Sequence, residues 1–306
     1  SLKPYDNDKF QKYFQLLFEL PRNTYESLTI ENQKHVRYAS YNDEDSSFYV
    51  GKNFLLGENF FPQNIEIGLS YIRKLNQKEN PKSLHFTGYL HETGKLGLVF
   101  KHDKSIAIGY YEKAAKLGNI ESIDKLSQIY SSPMYSMVNS SDDKRSNLID
   151  YCEKVADSGN DEGLYLLGTF YDNGSLIDRD EKVAFEYFTK SAEKGNVKAL
   201  IKSGIMLHHG IGTEKNVEEA SKYLSKAAAL DPLEGSYFYG CLLNDEGTSL
   251  CNKEEARRQF EISLKNGNSK ALKFLDSSKA TIESLDEIAD YGYDIQTVYF
   301  DRMKAL

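Results

Sequence analysis

Tryptophan is absent from this chain, and only three cysteines and six prolines occur among its 306 residues. No stretch approaches 18 uninterrupted apolar residues, so direct membrane insertion is not expected. Positive charge is also short: 38 Lys and Arg face 46 Asp and Glu, a formal net charge of −8. A general binder of nucleic acid needs a positive field to release counterions from phosphates, so no nucleic-acid partner is expected. The cysteines, Cys152, Cys241 and Cys251, are too few and odd in number for a disulfide framework. Cys241 and Cys251 fall within one repeat and could pair, but free thiols of a reduced compartment are the commoner case. The opening residues, SLKPYDNDKF, carry no apolar signal-peptide core, and the cytoplasm is the expected compartment.

Catalytic signatures are missing as well. The chain has no HExxH, GxSxG or CxxC. His208 and His209 are adjacent, so on a helix they point about 100° apart and cannot chelate as an i, i+4 pair would. They read as a helix end before Gly210. His85 and His91 are six apart and do not share a face. Gly88 to Lys95 superficially resembles a phosphate loop, but it is one residue too long and Leu96 stands where Ser or Thr should bind magnesium. Gly210-Ile211-Gly212 is a lone GxG with no preceding strand. Carboxylates such as Asp142, Asp143, Asp178, Asp180 and Glu181 lie in loops or on repeat surfaces and read as solvated charge. No catalytic residue, cofactor or metal site is expected.

What the chain has is repetition. Segments starting at Gly163, Ala199 and Gly235 follow one another at 36-residue offsets. A central Gly recurs at Gly51, Gly88, Gly168, Gly204 and Gly240, with Ser127 in the third unit. A small residue lies five before each: Ser46, Ser83, Ser122, Gly163, Ala199 and Gly235. Gly118, Gly159, Gly195 and Gly267 close units, with Asp231 in the remaining slot.

Each unit reads as two helices. Leu164, Leu167 and Tyr171 fall at helical spacings in one half, and Ala184, Phe188 and Ser191 in the other. Small residues sit where two helices must approach. Gly94, Gly174, Gly210 or Gly247 marks the turn between the halves. The second unit carries three extra residues around Leu96 to Lys101, and the third carries five. Pro133 and a Ser/Asn/Asp cluster mark residues 131 to 144 as the most mobile internal loop. Residues 1–45 read as a helical cap, with helices up to Pro21 and roughly from Tyr25 to Tyr38. Residues 46–275 hold six repeats and a partial seventh that begins like another first helix. Residues 276–306 form a C-terminal cap or tail, helical over Thr281 to Ala289.

The pattern small-x-x-x-x-Gly, then Ala-x-x-Tyr/Phe, then Lys-Ala-Ala or Lys-Ser-Ala before Gly, resembles the Sel-one-like repeat family, a cousin of tetratricopeptide repeats. The resemblance spans roughly residues 44 to 275. It implies an all-α fold, a right-handed superhelical α/α solenoid of antiparallel helix pairs with helical caps. It also implies a non-enzymatic adaptor that binds a protein or peptide partner. Cysteine-rich relatives linked to hydrolysis of cell-wall-like polymers carry paired cysteines that this chain lacks.

In tetratricopeptide arrays the first helices line a concave groove. Carried over by register, that groove would hold Phe48, Lys52, His85, Tyr89, Glu92, Tyr165, Thr169, Asp172, Ile201, His208, Tyr237 and Asn244. Tyrosine suits such contacts because it offers a large ring and a hydroxyl. Two alternatives stand beside the adaptor: a regulatory subunit whose own C-terminal segment, residues 277–306, fills the groove, and a hydrolase of wall-like polymers.

Overall fold

A computed structural model describes residues 21–97, 99–132, 142–174 and 176–275. Those residues are helical, with no strand among them. Two short helices lead, α1 (Arg22–Ser27) and α2 (Ile30–Ser40). Six pairs follow in register with the repeats: α3 (Glu44–Leu56) and α4 (Ile65–Gln77), α5 (Pro81–Thr93) and α6 (Lys104–Lys116), α7 (Ile120–Ser131) and α8 (Asp142–Asp157). Then come α9 (Asp161–Asn173) and α10 (Glu181–Glu193), α11 (Val197–His209) and α12 (Val217–Leu230), α13 (Gly235–Asn244) and α14 (Lys253–Lys265). The architecture is that of an all-α helical-repeat solenoid. The chain divides into two compact units, Ser1–Val155 and Ala156–Leu306.

Most helix starts share one device. Asp43, Asn64, Asn80, Asp103, Asn119, Asn160, Asp180, Asn196, Asn216 and Asn252 each precede a helix, and each side chain accepts a backbone N–H of the first turn. That satisfies a donor with no partner inside the helix, an effect of about 1 kcal/mol per cap. At the far ends of α3, α5, α9 and α11 the chain turns left-handed at Gly57, Gly94, Gly174 and Gly210. Both glycines of the apparent phosphate loop are thereby explained: Gly88 lies inside α5 and Gly94 caps it. The GxG has a similar cause, since a Cβ on Gly212 would collide with the backbone of Glu181.

The central glycines let the paired helices touch. A Cβ on Gly168 would lie 2.8 Å from the Phe188 ring, and one on Gly88 would lie 2.7 Å from the Tyr111 ring. Gly204 meets Leu224 and Gly240 meets Phe260 in the same way. One turn before each of these large residues stands a small one: Ala107, Ala184, Ala220 and Ala256, all buried.

The first unit begins with a cap. Tyr25, Leu28, Val36 and Ala39 bury against Val50, Phe54, Phe61 and Tyr71. The single helix expected from Tyr25 to Tyr38 is interrupted. Leu28 turns extended to enter this core, and the Thr29 hydroxyl accepts from Asn32 N to restart the helix. In the second unit the expected seventh first helix is instead a 3-10 helix, Ser269–Phe274, ending where Leu275 becomes extended. Its Phe274 stacks on Phe260 with ring centroids 4.3 Å apart. The helices expected before Pro21 and over Thr281 to Ala289 lie outside the described residues, as does most of the loop expected between residues 131 and 144.

Candidate partner-binding site

The first helices carry every residue assigned to the groove by register. In the first unit, Phe48 on α3 meets Phe86 edge-on at 5.8 Å, and Phe86 stacks on Tyr89 at 6.2 Å along α5. Phe86 is buried, while Phe48, Tyr89 and Lys52 are half-buried. His85 bonds through Nδ1 to the Ser122 hydroxyl at 2.8 Å, a tie from the second repeat to the third. Burial holds the His85 pKa below the ordinary histidine value.

Glu92, at the end of α5, accepts from the Tyr111 hydroxyl at 2.8 Å and pairs with Lys125 of α7 at 2.7 Å. Burial alone would raise its pKa, but the bonds from Lys125 and Tyr111 outweigh it and hold the carboxyl below the usual range. Burial, and then the same bond, push the Tyr111 phenol far up.

In the second unit Tyr165 is half-buried, tilted against Phe188 at 5.6 Å, with the Lys198 ammonium 5.6 Å above its ring. Thr169 donates its hydroxyl to the Tyr165 carbonyl at 3.0 Å, and Asp172 pairs with Lys202 of α11 at 3.0 Å. Glu92 with Lys125 and Asp172 with Lys202 occupy the same register. The acid lies four residues after one central position and the lysine two before the next. Lys125 and Lys202 were missed in the sequence, although register alone could have found them. Asn244 is half-buried and accepts from the Lys253 ammonium at 3.2 Å through Oδ1.

Three residues of the set are not at the surface. Ile201, His208 and Tyr237 are 5%, 9% and 9% exposed. Ile201 packs among Ala192, Ala199, Leu200 and Ala227. Tyr237 is enclosed by the rings of Phe238, Phe260 and Phe274. His208 bonds through Nε2 to Asp245 at 2.8 Å, tying the fifth repeat to the sixth. Gly247 N and His208 bond the Asp245 carboxyl and hold its pKa down.

The chemistry outside this face is sparse. Among the described residues no group of three or more His, Cys, Asp or Glu is arranged to hold a metal ion. None of the three cysteines is in a disulfide, and burial pushes the Cys152 thiol up to about 12. His208 and His209 end α11 before a left-handed Gly210, as their spacing predicts.

The model of the Sel1 repeat family matches residues 81–119, 161–196 and 197–232. These are the helix pairs α5–α6, α9–α10 and α11–α12. The chain carries Sel1 repeats. Solved structures agree at the level of the fold. A protective antigen present in uropathogenic Escherichia coli strains, which displays an SLR fold, is 21% identical with a TM-score of 0.60. That match covers 86% of this chain and 57% of the antigen, so this chain spans little more than half of that protein. A Sel1 repeat protein from Oxalobacter formigenes is 17% identical with a TM-score of 0.57, covering 76% of this chain and 94% of the other. No curated protein matches the chain in sequence. Sel1-like repeat proteins are generally protein-interaction scaffolds. Among the described residues no helix is long and apolar enough to cross a membrane.

Proposed function

We propose that the protein is a non-catalytic scaffold that holds a protein or peptide partner against the first helices of its Sel1 repeats. The observation that carries this reading is a recurrence of half-buried rings on that face: Phe48 and Tyr89 in the first unit, Tyr165 in the second. Such rings offer large contact area with few torsions to freeze, and the tyrosines add a hydroxyl. Beside them, Glu92 with Lys125 and Asp172 with Lys202 already satisfy each other. Binding therefore rests on shape and on the rings rather than on net charge.

With Ile201, His208 and Tyr237 buried, the contact set is Phe48, Lys52, His85, Tyr89 and Glu92 on the first unit. On the second it is Tyr165, Thr169, Asp172 and Asn244. Residues 46–275 form the binding array in this reading, and the flanking segments close its ends. A glycosidase needs a carboxyl held protonated near neutral pH, with a raised pKa. Glu92, on the proposed contact face, is instead held below the usual range by its bonds from Lys125 and Tyr111.

The test is capture from the source lysate by the full chain and by a Tyr89→Ala, Tyr165→Ala double variant, each checked by thermal melting. The expected result is one identified protein retained by the first and reduced at least tenfold with the second, both folded. Equal capture by two folded proteins would sink the assignment of these rings.

A further inference from the structure

The loop between α3 and α4 contains a residue the fold does not use. Phe60 is 87% exposed, more than any other large hydrophobic of the described residues. Its φ is +64°, and Asn59 before it is at +51°. Bulky residues rarely adopt this left-handed conformation, and two in succession are unusual. Glycine would fit there without strain, and Phe60 returns no burial in exchange.

The loop is nonetheless firmly held. Asn32 Nδ2 of α2 donates to the Asn59 carbonyl at 2.8 Å, and Asn59 Nδ2 donates to Oδ1 of the buried Asn53 at 2.8 Å. Asn53 in turn donates to the Tyr49 carbonyl at 2.8 Å. On the other side Phe61 is buried, edge-on to Phe54 at 4.8 Å, and Asn64 N donates to the Phe54 carbonyl at 2.8 Å. The backbone at Phe60 is thus fixed by neighbours on both sides, and the ring is left in water.

We infer that Phe60 is a preformed anchor that enters an apolar pocket, rimmed by basic side chains, on a separate partner protein. A ring already presented in its bound pose loses little freedom on docking, which is how single anchors come to dominate interfaces. The basic rim follows from charge. Glu58 and Glu66 flank the loop, both exposed, in a chain of net charge −8. Glu58 has only a long 3.8 Å pairing with the half-exposed Lys95. A second copy is a poor occupant, because a two-fold contact through this loop would set the same carboxylates against one another. The surface is distinct from the first-helix face of the proposed scaffold, so either can fail without the other.

The test replaces Phe60 in the full chain with photoreactive p-benzoylphenylalanine, irradiates it in the source lysate, and identifies the adduct by mass spectrometry. The adduct protein is then purified and titrated with the wild type, Phe60→Ala and Glu66→Lys. The expected adduct maps to an apolar pocket flanked by Lys or Arg. Phe60→Ala should weaken binding at least tenfold and Glu66→Lys severalfold, while Phe60→Gly melts at or above the wild-type temperature. Four results would each overturn the proposal: an adduct with a second copy, an adduct within the same chain, no specific adduct, or a lower melting temperature for Phe60→Gly.

Discussion

In the fourth repeat a bare Gly168 receives the Phe188 ring, and the small Ala184 stands one turn earlier on the second helix. In the third repeat Ser127 takes the place of the glycine, Cys152 that of the phenylalanine and Leu148 that of the alanine. All four second-helix residues are fully buried. The bulk has moved by one helical turn, from the position facing the glycine to the position before it. By register a thiol stands where the fourth repeat has a ring, which leaves room for the Ser127 hydroxymethyl group in place of glycine. The comparison teaches that the repeat keeps a filled volume where its helices cross rather than fixed residue identities.

The sharpest way to break this comparison is truncation. Phe188→Ala should destabilise the protein by about 3–5 kcal/mol, the usual cost of emptying a large aromatic site. Cys152→Ala should cost only about 1 kcal/mol, because it removes one small group. Urea midpoints measure both, and equal losses would show that the crossings are not exchanged as described. The reciprocal change separates them further. Gly168→Ala should cost about 1–3 kcal/mol by overpacking against Phe188.

A smaller effect of opposite sign is expected at Glu79, which fills the slot that Gly118 and Gly159 occupy in later repeats. Its φ is +57°, a conformation glycine adopts freely. Glu79→Gly should stabilise by about 1 kcal/mol, read as a rise in melting temperature.

The smallest effect concerns the paired register. A double-mutant cycle on Glu92 and Lys125 should give a coupling of about 0.5–1 kcal/mol, modest because both side chains are partly in water. The folded pKa of Glu92 lies below the ordinary value of 4.5. Its contribution is therefore full above that value and is lost as pH falls through the lowered one. Glu92→Gln should flatten the acid limb of a stability profile, and an unchanged limb would remove Glu92 from the account.

Most of the fold was legible because one register governs it. The six helix pairs, the glycine crossings and the Ala184, Phe188 and Ser191 stripe follow from spacing, and the structure buries that stripe as expected. The Asn and Asp caps carry the same period and went unread, although they stand before nearly every helix. The break at Leu28 was not legible, since it depends on a core formed with Val50, Phe54 and Tyr71 of the next elements.

Burial at the candidate site was not legible. Tyr165 and Tyr237 share a register, yet one is half-exposed and the other enclosed. A lysine lies over each ring, Lys198 over Tyr165 and Lys273 over Tyr237, but the rings of Phe238 and Phe274 also cover Tyr237. Register says where a side chain points. What lies beyond it depends on the bulk supplied by its neighbours in the same repeat and the next.

The cross-repeat bonds also bear on how the chain can be made. Asn80 Nδ2 donates to Glu44 across 36 residues, Asn196 Nδ2 to Glu162 across 34, and His85 Nδ1 bonds the Ser122 hydroxyl across 37. None of these ties waits for a distant part of the sequence. As the polypeptide leaves the ribosome, each new helix pair within a unit can dock on the one before it once some three dozen further residues have emerged. Apolar faces are then left uncovered for seconds during translation rather than until synthesis ends, which limits the time in which a half-made chain can stick to its neighbours.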